Sequence, residues 1–146
     1  MKMKRTETET SLSLTVTVKV RFGETDALGM VWHGSYVAYL EDAREAWGNR
    51  YGLSYLDIYN NGFATPVYDM QLHYRGMASV GDTLNVEITY CRAEGAKMIF
   101  HYFITNAATG DLVLTAETTQ LFMTKEGDFY PAIPVFYEQW LKRLPD

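Results

Sequence analysis

The stretch TDALGMVWHGSY, residues 25–36, runs small, apolar and glycine-bearing positions into the start of a helix, yet carries one carboxylate, Asp26, and one imidazole, His33. Upstream of it the chain alternates strictly. Leu12, Leu14, Val16, Val18, Val20 and Phe22 fall on one face, and Ser13, Thr15, Thr17, Lys19 and Arg21 on the other. A period of two with one apolar face predicts a half-buried strand. Downstream, Tyr36, Val37, Leu40, Ala43, Trp47 and Tyr51 recur at helical spacing, with Glu41, Asp42, Glu45 and Arg50 largely elsewhere. That spacing predicts a helix over 34–51, the longest in the chain.

The remainder reads as sheet. A short helical piece over 54–59 is ended by Asn60-Asn61-Gly62. Tyr68, Met70, Leu72 and Tyr74 alternate next, then Leu84, Val86, Ile88 and Tyr90 after a turn at Gly81-Asp82. Residues 97–106 are apolar on both sides, which fits burial on both faces. A turn at Thr109-Gly110-Asp111 leads into one long strand over 112–124, and Glu126-Gly127-Asp128 turns the chain again. Residues 134–144 predict a short helix with Pro134 in its first turn and Phe136, Tyr137, Trp140, Leu141 and Leu144 as its apolar side. One strand, one long helix and four or more antiparallel strands make an α+β layout with a single main helix available to cover the sheet.

The totals narrow the function. A chain of 146 residues, 47% of them hydrophobic, suits one domain over 1–146, with the charged and Thr-rich residues 1–11 expected to form a flexible tail. The net charge of −5, with Lys and Arg spread along the chain, leaves no footprint for nucleic acid or an anionic membrane surface. No run approaches the roughly 18 apolar residues of a membrane span, so no membrane insertion is expected. The single Cys91 allows no internal disulfide, and the N-terminus lacks the apolar core of a signal peptide, which points to a reduced, cytoplasmic setting. Cys91 lies within a predicted strand and reads as packing rather than as a nucleophile.

Asp26 has two readings. A carboxylate upstream of a helix commonly caps it or terminates a turn. Asp26, however, lies seven or eight residues ahead of this helix, too far to cap it, and Ser35 or the His33-Gly34 backbone is better placed. The spacing allows a loop that folds back and sets the carboxylate facing the helix N-terminus, where free N–H groups and the positive end of the dipole stabilise an oxyanion. Acyl transfer uses such a pair. His33 is by itself as readily a polar residue at a helix start as a functional one. His73 and His101 sit in no ligand spacing, so no metal site is expected. No nucleophile elbow, P-loop or dinucleotide fingerprint is present in the sequence.

The segment VRFGETDALGMVWHGSY at 20–36, followed by YLEDAR at 39–44, resembles the hotdog-fold acyl-CoA thioesterases, specifically the group around 4-hydroxybenzoyl-CoA thioesterase and the Tol–Pal-associated short-chain thioesterases. The shared pattern is a strand, then D-x-x-G-x-V, an aromatic, and a Tyr in the first helical turn; the order of elements agrees from about residue 14 to residue 130. The resemblance implies a hotdog fold, an antiparallel five- to six-stranded sheet wrapped around one long central helix. It implies Asp26 as the catalytic carboxylate, acting as nucleophile or as base for water. The amide of His33 then polarises the thioester carbonyl, its ring assisting, and Gly29 lets the loop pass close to the thioester. Glu41 stands where other branches place a helix carboxylate and is the reserve catalytic candidate. Ala27 and Leu28 stand where close relatives often have small residues, which bears on the shape of the acyl pocket.

The resemblance also implies a homodimer or homotetramer with each site at a subunit interface, residues 63–76 and 97–106 of the partner walling the pocket. Trp32, Tyr36, Phe63 and Tyr68 suit an apolar acyl group. Arg75, Arg92 and Lys97, each near a predicted strand end, are the cations that could meet the phosphates of the pantetheine–nucleotide arm. Coenzyme A is part of the substrate, and no separate cofactor is expected. The expected activity is hydrolysis of a short-chain or aromatic acyl-CoA. The alternatives are an acyl group carried on acyl carrier protein and a non-catalytic acyl-CoA-binding hotdog protein.

Overall fold

The computed structural model describes residues 12–144; the tail expected over 1–11 lies outside the described residues. Strand β1 (Ser13–Lys19) is followed by a single 3-10 turn at Phe22–Glu24, the long helix α1 (Ser35–Tyr51) and a short helix α2 (Tyr55–Asn60). Then come β2 (Phe63–Ala64), β3 (Val67–Tyr74), β4 (Thr83–Cys91), β5 (Lys97–Asn106), β6 (Leu112–Leu121), β7 (Met123–Thr124) and a C-terminal helix α3 (Val135–Lys142). Five strands form an antiparallel sheet in the order β1-β4-β5-β6-β3, and β2 pairs with β7 in a separate ribbon. With α1 packed on the inner face of that sheet, the fold is the α+β hotdog arrangement.

The core follows the two periodicities. Leu84, Val86, Ile88 and Tyr90 of β4 and Met98, Phe100, Tyr102 and Ile104 of β5 are buried on one face, against Tyr39, Leu40, Ala43 and Trp47 of α1. Each such side chain contributes about 1.5–3 kcal/mol of burial. Trp47 is the hub, stacked on Tyr90 at 5.6 Å and edge-on to Phe100 at 4.8 Å, while its Nε1–H donates to the Leu12 carbonyl. The opposite face of β5 is less covered: Ile99, His101 and Phe103 are half-buried, so within one chain only the inner face of this strand is fully enclosed.

Three expectations need correction. Phe22 does not join the buried face of β1; it is 78% exposed, because the strand ends and the chain turns into the 3-10 segment. The strand expected over 112–124 breaks at Phe122, whose ring turns into an aromatic cluster with Phe63, Phe136 and Tyr137, so Met123 and Thr124 pair with β2 instead. On β3 the apolar alternation is largely exposed; only Met70 and Leu72 are half-buried, because β3 is an edge strand lying beyond the cover of the helix.

Helix α1 also carries a residue that its polar face would have claimed. Arg44 is 1% exposed, its guanidinium lying 4.8 Å from the Tyr55 ring centroid, 4.9 Å from Phe100 and 5.5 Å from Trp47. Its Nε donates to Gln120 Oε1 at 2.8 Å, and Gln120 Nε2 in turn donates to the Thr65 carbonyl at 2.6 Å. Nη1 and Nη2 have no hydrogen-bond partner among the described residues. Burial lowers the pKa of the guanidinium, opposed by Tyr55, Tyr102 and Glu41. The charge thus bridges α1, β6 and the chain entering β3.

Candidate active site

The loop from β1 to α1 is built around two residues, Glu24 and Asp26. Asp26 N donates to the Met30 carbonyl and Gly29 N to the Asp26 carbonyl, closing a turn in which Gly29 takes a φ of 75°, the left-handed region that glycine adopts without strain. A Cβ on Gly29 would meet nothing closer than Val80 at 3.8 Å, so the requirement there is conformational rather than steric. The Asp26 carboxylate also serves this turn, Oδ1 accepting from Leu28 N at 2.9 Å and Met30 N at 3.3 Å. The turn-terminating role of Asp26 is therefore present, on one of its two oxygens. The carboxylate remains exposed.

Glu24 anchors the return of the loop to the helix. Its carbonyl accepts from Trp32 N at 3.0 Å and Ser35 Oγ at 2.8 Å; its Oε1 accepts from Arg21 N at 2.8 Å and from the Tyr39 hydroxyl at 2.9 Å. Burial alone would raise the Glu24 pKa, but the donors Arg21 N, Tyr39 and the Arg21 guanidinium outweigh it and hold the carboxyl below its usual value. Burial and the same carboxylate push the Tyr39 phenol up, so it stays a donor. A carboxyl with a depressed folded-state pKa contributes stability that is complete above its ordinary value near 4.5 and is lost as the pH falls through the folded value. Glu24→Gln is accordingly expected to cost about 1 kcal/mol at neutral pH and to flatten the acid-side fall in unfolding midpoint below that range. A set of thermal melts from neutral pH into acid, wild type against variant, checks both.

The helix begins without a side-chain cap. Gly34 is the N-cap residue, no acid lies in the first turn, and Ser35, which was placed to cap, spends its hydroxyl on Glu24. Among the described residues the N–H groups of His33, Gly34 and Tyr36 reach no acceptor. The positive end of the α1 dipole is thus left unanswered by the described residues. Trp32 folds back over this end, and a Cβ on Gly34 would fall inside its indole ring; the His33 ring lies 4.7 Å from that indole.

Beside the helix start is an apolar pocket of about 190 Å³ lined by Met30, Val31, His33, Tyr36, Tyr74, Gly76, Met77 and Ala78. The Tyr36 and Tyr74 rings meet edge to face at 5.8 Å, and burial raises the Tyr36 phenol pKa. The bond from Val31 N to the Ala78 carbonyl at 2.8 Å ties the loop to the chain leaving β3. His33 and Tyr36 therefore line one pocket, with Asp26 in the adjoining turn, while Trp32 is not among the lining residues. Arg75 is exposed at the same end of the sheet.

The structure separates the other candidates from this pocket. Phe63 packs at 4.8 Å on Tyr130 and 5.8 Å from Phe136, in the ribbon formed by β2 and β7. Tyr68 is 73% exposed at the far end of β3. Arg92 and Lys97 lie at the β4–β5 turn, at the end of the sheet away from the pocket, and Arg92 donates to the Leu141 carbonyl of α3. In an antiparallel ladder, proximity to a strand end says nothing about which end. Glu41 faces Tyr55, whose hydroxyl donates to it at 3.4 Å, and does not line the pocket. Conversely, Tyr74 lines the pocket, and Glu24 with Tyr39 holds the loop beside it, though none of the three stood out as a candidate in the sequence. Tyr39 stands three positions after Tyr36 on the helical stripe, which was a usable signal; a loop glutamate two residues before Asp26 reads as solvated.

No helix among the described residues is long and apolar enough to cross a membrane. Residues 20–141 match the thioesterase-like superfamily. YneP of Bacillus subtilis (strain 168), provisionally named an acyl-CoA thioesterase, is 32% identical over 127 residues, covering 87% of this chain and 86% of its own. The 1,4-dihydroxy-2-naphthoyl-CoA hydrolase of Thermosynechococcus vestitus is 26% identical over 128 residues, 87% of either chain. The crystal structure of the hypothetical protein TT1821 from Thermus thermophilus superposes with a TM-score of 0.79 at 28% identity, covering 92% of this chain and 98% of that one. With the superfamily pattern spanning most of its length and the sheet wrapped on α1, the chain belongs to the thioesterase-like superfamily and has its hotdog fold.

Proposed function

We propose that this protein is a thioester hydrolase acting on an acyl-CoA with a short-chain or aromatic acyl group, as its resemblance to the 4-hydroxybenzoyl-CoA and Tol–Pal-associated enzymes implies. One observation carries the reading: an uncapped helix start, with the N–H groups of His33, Gly34 and Tyr36 open, borders an apolar pocket next to the turn that holds Asp26. The thioester oxygen meets those N–H groups, which stabilise the negative charge it acquires. Asp26 then either attacks the carbonyl carbon or takes a proton from the water that does. On both routes the C–S bond breaks with its electron pair going to sulfur, the thiolate takes up a proton, and one water is consumed. The first route passes through an anhydride that water opens. Gly29 shapes the turn, and the exposed His33 is among the residues lining the pocket.

The pocket volume supports the substrate class. An apolar cavity of about 150 Å³ holds benzene, so about 190 Å³ suits a benzoyl-sized or short aliphatic group. The names of YneP and of the naphthoyl-CoA hydrolase agree with an acyl-CoA substrate. The reading includes a homodimer or homotetramer. Strand β3 ends at the pocket with its outer edge unpaired among the described residues, and Val67, Tyr68 and Tyr74 on it are exposed, an arrangement suited to a second copy extending the sheet. In that pairing residues 63–76 supply the wall. Residues 97–106 form the middle strand and can contribute only through a face. Arg75 is the cation retained for the phosphate arm.

Release of free thiol from acetyl-, butyryl-, benzoyl- and palmitoyl-CoA tests the proposal. Turnover of the small or aromatic members with little on palmitoyl-CoA is the expected result. No release from any member sinks the acyl-CoA reading; hydrolysis of an acyl group on acyl carrier protein would then select the first alternative, and tight acyl-CoA binding without turnover the second.

A further inference from the structure

Tyr74 is the last residue of β3, its Cα paired with Leu114 of β6, and is 51% exposed. Its hydroxyl donates to the His33 carbonyl at 2.9 Å, and its ring packs edge-on against Tyr36 at 5.8 Å. The His33 carbonyl and the Gly34 N–H belong to one planar peptide unit. A hydrogen bond accepted by the oxygen draws electron density from the nitrogen and makes that N–H a stronger donor, and it also fixes the plane of the peptide. The Gly34 N–H reaches no acceptor among the described residues, and the Trp32 indole packs against Gly34 where a Cβ would sit.

We propose that Tyr74 is a positioning residue of the reaction: by holding the His33 carbonyl it orients and polarises the Gly34 N–H, one of the donors that stabilise the oxyanion. This inference rests on the thioesterase reading and adds to it the residue of the sheet that sets up the helix N-terminus. No atom is transferred through Tyr74. Its hydroxyl keeps its proton throughout, and the effect reaches the substrate only through the peptide.

Tyr74→Phe removes the hydroxyl and leaves the ring contacts. Losing an oxyanion donor outright costs about a hundred- to a thousandfold in kcat, so losing the support of one is expected to lower kcat roughly tenfold. KM and the melting temperature should stay close to wild type. An unchanged kcat, or a raised KM with kcat held, overturns the proposal, the latter because Tyr74 would then only contact substrate. A kcat that falls in step with a lower melting temperature also overturns it, since the role would be structural. A second readout needs no substrate: with the carbonyl bond gone, the Gly34 amide resonances in a proton–nitrogen correlation spectrum should move to lower frequency in both dimensions. An unmoved Gly34 signal shows that the bond does not polarise the amide. Wild-type protein that releases no thiol from any acyl-CoA, with the Gly34 shift still seen, removes the thioesterase reading and the catalytic half of this one while leaving the Tyr74–His33 coupling measured.

Discussion

Asp26→Asn is expected to lower thioester turnover by at least about a hundredfold, the scale on which a catalytic acid–base group acts, without disturbing the loop. The asparagine keeps an Oδ1 that accepts from the Leu28 and Met30 amides, so the turn closed by Gly29 persists. What the amide loses is the capacity to attack a carbonyl or to take a proton from water. Asp26→Ala removes the turn acceptor as well, so a comparison of the two separates chemistry from loop geometry. If Asn retains most of the activity and Ala abolishes it, Asp26 is a turn residue and the catalytic carboxylate must be sought elsewhere, first at Glu41. The Asn variant must melt with wild type for the comparison to hold.

The largest effect on stability is expected at Arg44. Arg44→Ala empties the space between Tyr55, Phe100 and Trp47 and strands Gln120 Oε1. Losses of a large buried side chain and of a buried hydrogen-bond partner together cost roughly 3–5 kcal/mol, a fall of roughly 10 °C in melting temperature for a chain of this size. Arg44→Met also strands Gln120 Oε1 but leaves little empty space, and is expected to cost less, about 1–3 kcal/mol. It keeps most of the volume and removes a desolvated charge whose Nη1 and Nη2 reach no partner among the described residues. Thermal melts of the three proteins decide. A Met variant as unstable as the Ala variant would show that the cation over the rings, rather than the packing, holds α1 to β6.

Much of this was legible in residue order because alternation and helical spacing depend on near neighbours. The period of two over 12–20, the stripe from Tyr36 to Tyr51 and the glycine turns at 81, 110 and 127 each reappear as an element or a connection. Phe22 and the run over 112–124 misled because a pattern can continue after the backbone has turned away. Phe122, in the break between β6 and β7, belongs to an aromatic cluster shared with β2 and α3. Arg44 was not legible for a different reason: a guanidinium is ordinarily solvated, and only the meeting of α1, α2, β5 and β6 supplies the rings and the amide that let it be buried.

The site divides along the same line. A carboxylate, a glycine and a helix start lie within twelve consecutive residues, so the sequence alone could point to the candidate site. Which distant residues join them depends on strand order and register, and those are properties of pairings between residues far apart in the chain. The antiparallel ladder carries Arg92 and Lys97 to the end away from the pocket and brings the end of β3 against the helix start. There a tyrosine that local pattern marks only as a strand residue meets the His33 carbonyl. Hydrogen bonds and desolvation act over a few ångströms of space, whatever the separation along the chain, and tertiary structure alone decides which groups come that close.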